Sequence, residues 1–390
     1  MDEKKKTLEL WLTCIILEGF LLYGETTTAI SEAWPLLGNC LEYWLYFMYL
    51  LVLVRIAIQK KSWLEWLVTA GILGLVELTR ITTQTNVVLW FAAGLLIAKD
   101  VDLVRVLKAD LLTRIVMAAM LIVLPLTGLY HFYIKDWGSG RVRYSFGWSH
   151  PNEMGLFFLM LCMAWAYLRY KKWCWKDNVA ILLLLVFLDR LANSRTAEIC
   201  MLLLLLLENL YIFLGKRLPD QDRRLRLWKW LAWLSAFGVC ILTFILFIGY
   251  SDEVSIFRQI PATVSGRFSL AHRFWSEQGF SLLGQVFDGE IYNYLDMLYA
   301  YLSLNMGILV MAGVLFLNVL AVWRAGKERD EGLLLIIIVF QAYSLLEHEH
   351  FKTIYGFYPL LLGYTFWPAV VDVEVWIRKK MGKIIGKAGK

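Results

Sequence analysis

The stretch "SHPNEMGLFFLMLCMAWAYL", residues 149–168, sets a polar knot directly before an unbroken apolar run. A soluble amphipathic helix would interrupt such a run with polar residues every three or four positions. No charge falls between Leu156 and Leu168, so the run reads as a membrane span. Its head reads two ways. Pro151 suits the first turn of a helix and Glu153 suits its positive end, which makes the knot a good start signal unaided. His150 and Asn152 are also residue types that an active site at a membrane surface would use.

The rest of the chain is built alike. With 59% hydrophobic and only 18% charged residues, and a mean hydropathy of +0.58, it has too little polar material to cover a soluble globule. Spanning a hydrocarbon core takes about 20 apolar residues. Twelve runs qualify, near 8–23, 38–58, 62–80, 86–98, 113–134, 152–168, 178–192, 197–214, 230–250, 294–323, 332–346 and 354–371. With "MDEKKK" inside, the alternating inside segments hold 29 of the 39 Lys and Arg residues, as cytoplasmic loops should. The expectation is an all-α integral membrane protein of about twelve transmembrane helices, both termini cytoplasmic. It forms a single polytopic domain over 1–390, with one large extracytoplasmic loop at about 251–293.

Several other classes fall away. The net charge of +6 follows from the inside rule, so no nucleic-acid partner is implied. The first run follows lysines as a signal peptide does, but it carries Glu18 and lacks a clear small-residue cleavage site, so it reads as a retained helix. Six cysteines at irregular spacings give neither a metal pattern nor a disulfide framework, and no cofactor is expected. Glu18, Glu42, Arg55, Glu65, Glu77 and Glu208 lie in or near spans, where ionisable groups point to the bundle interior or to an interface.

The cations left outside are more informative than those inside. They are eight Arg and two Lys, against 11 Arg and 18 Lys inside. Arg offers a rigid fork of donors that matches phosphate oxygens two at a time, whereas Lys is a flexible point charge. An exterior that keeps its few cations as Arg suits an anion, although single residues such as Arg190 beside Asp189 can be explained by pairing. These Arg fall in three segments: the loop before "SHPNEMG" with Arg141 and Arg143, the tight turn "NSRT" at 193–196, and the large loop with Arg267 and Arg273. In the turn, Ser194 or Thr196 is the expected cap of the next helix.

At these residues the chain resembles a known family. "HPN" at a helix head, "NSRT", then "SGRF", "HRFW" and "SLLG" in an outer loop, "YLDMLYAYLSLNMGILV", and a late "LLEHEH" follow the order seen in the O-antigen polymerase and ligase superfamily. The likeness covers about residues 130–350 and is nearest to the Wzy-type polysaccharide polymerases. Arg273, ten residues and Gly284 match a motif of the large loop of some polymerases. Asp296 and Tyr299 resemble a family "DNxY", with Met297 where Asn is usual.

The resemblance implies a fold like that of the C-type glycosyltransferase superfamily, in a bacterial cytoplasmic membrane. It implies inverting, metal-independent transfer of a glycan from undecaprenyl pyrophosphate to the next lipid-linked repeat unit on the outer face. The partners it implies are the undecaprenyl-pyrophosphate-linked oligosaccharide, membrane lipids, a flippase and a chain-length regulator. Arg195, Arg267 and Arg273 are the expected pyrophosphate ligands, because the developing negative charge must meet preorganised cations. Arg141 and Arg143 are either secondary ligands or a solvated pair that attracts the anion. The acceptor hydroxyl needs a base or orienting group. His150, His272, Glu153, Glu347, His348, Glu349 and His350 are the candidates, with Asn152, Ser194, Asp296 and Tyr299 as further substrate contacts. An O-antigen ligase shares the donor, and a lipid-linked oligosaccharide flippase or other transporter is the competitor from another class. A polytopic scaffold is the third reading.

Overall fold

Each of the twelve apolar runs carries a helix in the computed structural model, which describes residues 3–130, 132–136, 142–218, 220–251, 253–259, 262–286 and 295–388. In chain order the helices are α1 (Glu3–Ala33), α2 (Pro35–Ile58), α3 (Trp63–Thr83), α4 (Val87–Ile97), α5 (Leu103–Leu126), α6 (Pro151–Arg169), α7 (Trp175–Leu191) and α8 (Arg195–Arg217). They continue as α9 (Gln221–Ile248), α10 (Ser255–Gln259), α11 (Ala262–Gln278), α12 (Leu298–Tyr301), α13 (Ile308–Glu328), α14 (Glu331–Ser344) and α15 (Tyr358–Ala388). Helix starts follow local chemistry: Ser62 and Glu65 form a reciprocal capping box, and the Asp102, Asp220 and Asp330 carboxylates accept first-turn amides.

Among the described residues, seven helices are long and apolar enough to cross a membrane: α1, α2, α5, α8, α9, α13 and α15. Their outward faces stay apolar, with Leu36, Tyr43, Leu206, Trp230 and Leu234 exposed, which suits lipid and not water. The chain thus has the make-up of a multi-pass membrane protein. Inside this ring lie α4 and α14, of 11 and 14 residues, with almost every side chain buried. At 1.5 Å per residue they reach only about 16 and 21 Å, short of a hydrocarbon core of about 30 Å. The missing length is filled by the segment 345–357, which folds back over α4. Phe351 stacks on Phe91 with ring centroids 4.3 Å apart, and the Thr353 hydroxyl donates to the Trp90 carbonyl. Irregular backbone at such depth is tolerated only where protein or a wet cavity surrounds it.

Three features depart from the expectation. The fold is all-α as expected, but the loop before α6 adds a hairpin in which β1 (Tyr133–Asp136) and β2 (Val142–Phe146) pair antiparallel. The run expected at 113–134 begins ten residues earlier, because Asp110 and Arg114 pair at i,i+4 inside α5 with both side chains at 0% exposure. Pairing cancels the charges that make the sequence read as a cytoplasmic segment. The run 294–323 is broken at Gly307, whose φ of 97° a side chain would resist, between a π-helical turn (Leu302–Met306) and α13. The stretch around Gly284 mends that break: Ile308 N donates to Ser281 O at 2.9 Å and Gln285 N to Asn305 O at 3.0 Å.

Candidate functional site

The site grows from the buried turn that follows α14. Glu347, 5% exposed, sits where four distant segments meet. From α11, Arg267 donates through Nη2 to Glu347 Oε1 at 2.8 Å and through Nη1 to the Leu346 carbonyl at 2.6 Å, while its Nε lies 2.9 Å from Asp296 Oδ2. From the head of α6, Asn152 Nδ2 approaches Glu347 Oε1 at 3.4 Å, and from α8 the Thr196 hydroxyl does so at the same distance. The "HPN", "NSRT", "GRF" and "LLEHEH" motifs therefore converge on one carboxylate.

Small residues make the convergence possible. A Cβ built on Gly155 would lie 2.2 Å from Ser194 Oγ, so only glycine lets the start of α6 meet the turn before α8. Asn193 holds that turn at a φ of 47°, a left-handed conformation that Asn tolerates best among residues with a side chain. Arg143, from β2, spans both: its Nε donates to the Ala192 carbonyl at 2.6 Å and its Nη2 to Asn152 Oδ1 at 2.8 Å. It is 7% exposed and braces the two helix starts.

One guanidinium between two carboxylates gives the cluster unusual protonation. Burial pushes Glu347 up to about 7, with Arg267 opposing the rise. Burial likewise raises Asp296 to about 6. Beside them Lys352 Nζ contacts Glu349 Oε2 at 2.6 Å, and Glu349 is held below the usual carboxylate range although its burial alone would raise it. His348 is pushed down to about 4 by burial, with its ring stacked on Tyr301 at 4.1 Å. His350 is fully buried, is pushed down to about 3, and lies 2.9 Å through Nε2 from the Ser344 hydroxyl. A carboxyl near 7 that three neighbours orient can take a proton from a hydroxyl at neutral pH.

The other expected site residues have these places. His150 is the residue before the first turn of α6, and its Nδ1 accepts from the Asn152 amide at 3.1 Å, so the start-signal reading holds for this ring. Ser194 precedes α8 without a side-chain capping bond, and Thr196 turns to Glu347 instead. Arg195, in the first turn of α8, is exposed and has no ion pair among the described residues. His272 Nδ1 is 2.9 Å from the Phe247 carbonyl, in an aromatic patch with Tyr250 and Trp275. Arg273 is exposed and pairs with Glu277 at 2.8 Å. Tyr299 is fully buried below the cluster and donates to Gln341 Oε1 at 2.9 Å. Arg141 lies outside the described residues.

Two features had no clear sequence signal. Tyr301, which shields His348, sits in an ordinary apolar run. Lys352, one of the two lysines among the cations expected outside, is bound by Glu349. A separate cavity of about 920 Å³ lies at the opposite end of the bundle, lined by residues including Lys6, Arg55 and Asp102. Compared with family models, curated proteins and solved structures, the chain matches none of them.

Proposed function

We propose that this chain transfers a glycan from a polyprenyl-pyrophosphate carrier to a hydroxyl of the next lipid-linked unit, as a polysaccharide polymerase on the outer face of the bacterial cytoplasmic membrane. The proposal takes the twelve helical runs as spans, with both termini inside, in an arrangement resembling the C-type glycosyltransferases. One observation carries it: Glu347, buried and held near 7, receives Arg267, Asn152 and Thr196 from three outer segments.

In this reading Glu347 takes the proton of the acceptor hydroxyl as that oxygen attacks the anomeric carbon. The bond to the pyrophosphate oxygen breaks, and the carrier pyrophosphate leaves with the electron pair. Arg267 is a positioning residue, fixed to Leu346 O, Glu347 and Asp296. The leaving anion is assigned to Arg195, whose exposed head sits at the amino end of α8, with Arg273 as a second exposed cation. Helix amino ends attract phosphate through their free amides.

The test is extension of radiolabelled lipid-linked repeat units by the purified protein in micelles. Longer products with wild type and none with Glu347→Gln support the reading. A protein inert there that moves labelled lipid across liposomes would be the flippase instead, and one that extends only a lipid A-type acceptor would be the ligase.

A further inference from the structure

Helix α1 carries a second, unassigned set of carboxyls. Glu18, Glu25 and Glu32 recur every seven residues, which brings each back to within about 20° of one face and raises it about 10.5 Å along the axis. Glu32 is exposed at the outer end and accepts from the Tyr133 hydroxyl of β1 at 2.6 Å. Glu25 is 4% exposed, and its side-chain donor is the Trp148 indole. Glu18 has two buried carboxyl oxygens, with the Thr113 hydroxyl as its side-chain donor.

The groups around them are also incomplete. Glu18 faces Asp110, Thr113 and Arg114 of α5 and Cys14 of its own helix. Glu25 faces Arg114, Trp148, Glu153 and Tyr355. Arg114 gives Nε to Asp110 at 3.0 Å and Nη2 to the Tyr355 carbonyl at 3.2 Å, but Nη1 has no partner. Glu153, next along, accepts from Ser149 and faces Glu349 and Lys352. Two buried carboxyls with one side-chain donor each, beside a guanidinium N–H left unpaired, require water, protons or both in this interior region.

We propose that Glu32, Glu25 and Glu18, with bridging water between them, form a proton line from the hairpin face to the Arg114–Asp110 pair inside the bundle. A proton enters as hydronium gives up water at Glu32. Each carboxyl then accepts one proton from the water on its outer side and releases one inward, and the proton that arrives neutralises a single carboxylate at Glu18 or Asp110. A few bridging waters fill each step of about 10.5 Å, at hydrogen-bond spacings of about 2.8 Å. The line is independent of the glycan-transfer proposal.

The test uses dicyclohexylcarbodiimide, which adds to protonated carboxyls in apolar surroundings, on the full chain in proteoliposomes with the hairpin face outward. Peptide mass mapping is expected to find adducts on Glu25 and Glu18, several-fold more abundant in acidic than in alkaline outer solution and indifferent to inner pH. Glu25→Gln should remove one adduct and reduce that on Glu18. Should that variant not fold, Glu32→Gln at the exposed end should lower both yields several-fold at an unchanged melting temperature. Absence of adducts at both buried positions, or yields set by the opposite face, would overturn the proposal. No glycan substrate is present, so its failure is separate from failure of the polymerase reading.

Discussion

Arg267 of α11 reaches Glu347 of the turn after α14 over 2.8 Å, and with the same guanidinium holds Leu346 O and Asp296. A planar fork reaches these acceptors with three separate nitrogens, whereas lysine carries all its donors on one nitrogen and cannot span them. Arg267→Lys is therefore expected to lower the melting temperature in detergent, by the equivalent of about 3 kcal/mol for a broken buried pair. It should also lower glycan extension more than tenfold. An unchanged melting temperature would remove Arg267 from its bracing role.

Arg195 predicts the opposite signature. It is exposed and without an ion pair among the described residues, so Arg195→Ala should leave the melting temperature within about 0.5 kcal/mol of wild type. If it binds the carrier pyrophosphate, the apparent KM for the lipid-linked unit should rise about tenfold, the loss expected of one charge-assisted contact. Under the scaffold reading, product length would not change with Arg195→Ala or Arg273→Ala.

The contact between Gly155 and Ser194 can be tested by relief. A methyl at position 155 meets Ser194 Oγ at 2.2 Å and Cβ at 2.4 Å. Gly155→Ala should cost about 1–3 kcal/mol by overpacking. Removing the obstructing side chain with Ser194→Gly in the same chain should restore most of that stability. A double variant no better than the single one would show that the two helix starts do not touch.

Acid should affect activity and stability through different groups. Glu347 must be ionised to accept a proton, so kcat/KM should rise with pH through about 7. His350 falls from an ordinary 6.5 to about 3 in the fold, so between those values the unfolded chain binds the extra proton. Stability then falls as pH drops through that window. His350→Gln should flatten this acid limb in pH-dependent melting, and an identical limb would exclude His350 as its source.

Much of this was legible in the sequence, and the failures have physical causes. Apolar runs marked every helix long and apolar enough to cross a membrane, because lipid-facing and buried residues are both apolar, whereas the polar 17-residue α11 reads as part of the loop at 251–293. Charge misplaced the start of α5, since a sequence window sees Asp110 and Arg114 as two costs while the fold joins them at i,i+4. The "HPN", "NSRT" and "LLEHEH" segments were legible as polar interruptions, and their meeting at Glu347 was not, because 195 positions separate Asn152 from Glu347. The role of His150 turned on its backbone position: a residue just before Pro151 is extended, and its ring falls naturally on the Asn152 amide.

The shortness of α14 has a consequence for insulation. Beneath the polar turn, its 14 residues leave roughly 21 Å of barrier between the two aqueous phases. Four polar side chains lie within that depth, yet they satisfy one another. Tyr299 donates to Gln341, while Gln341 and Tyr358 both donate to Asn318 at 2.7 and 2.8 Å. Donors and acceptors linked in this way leave none of the four unpartnered, so the short floor beneath the turn needs no water to satisfy them.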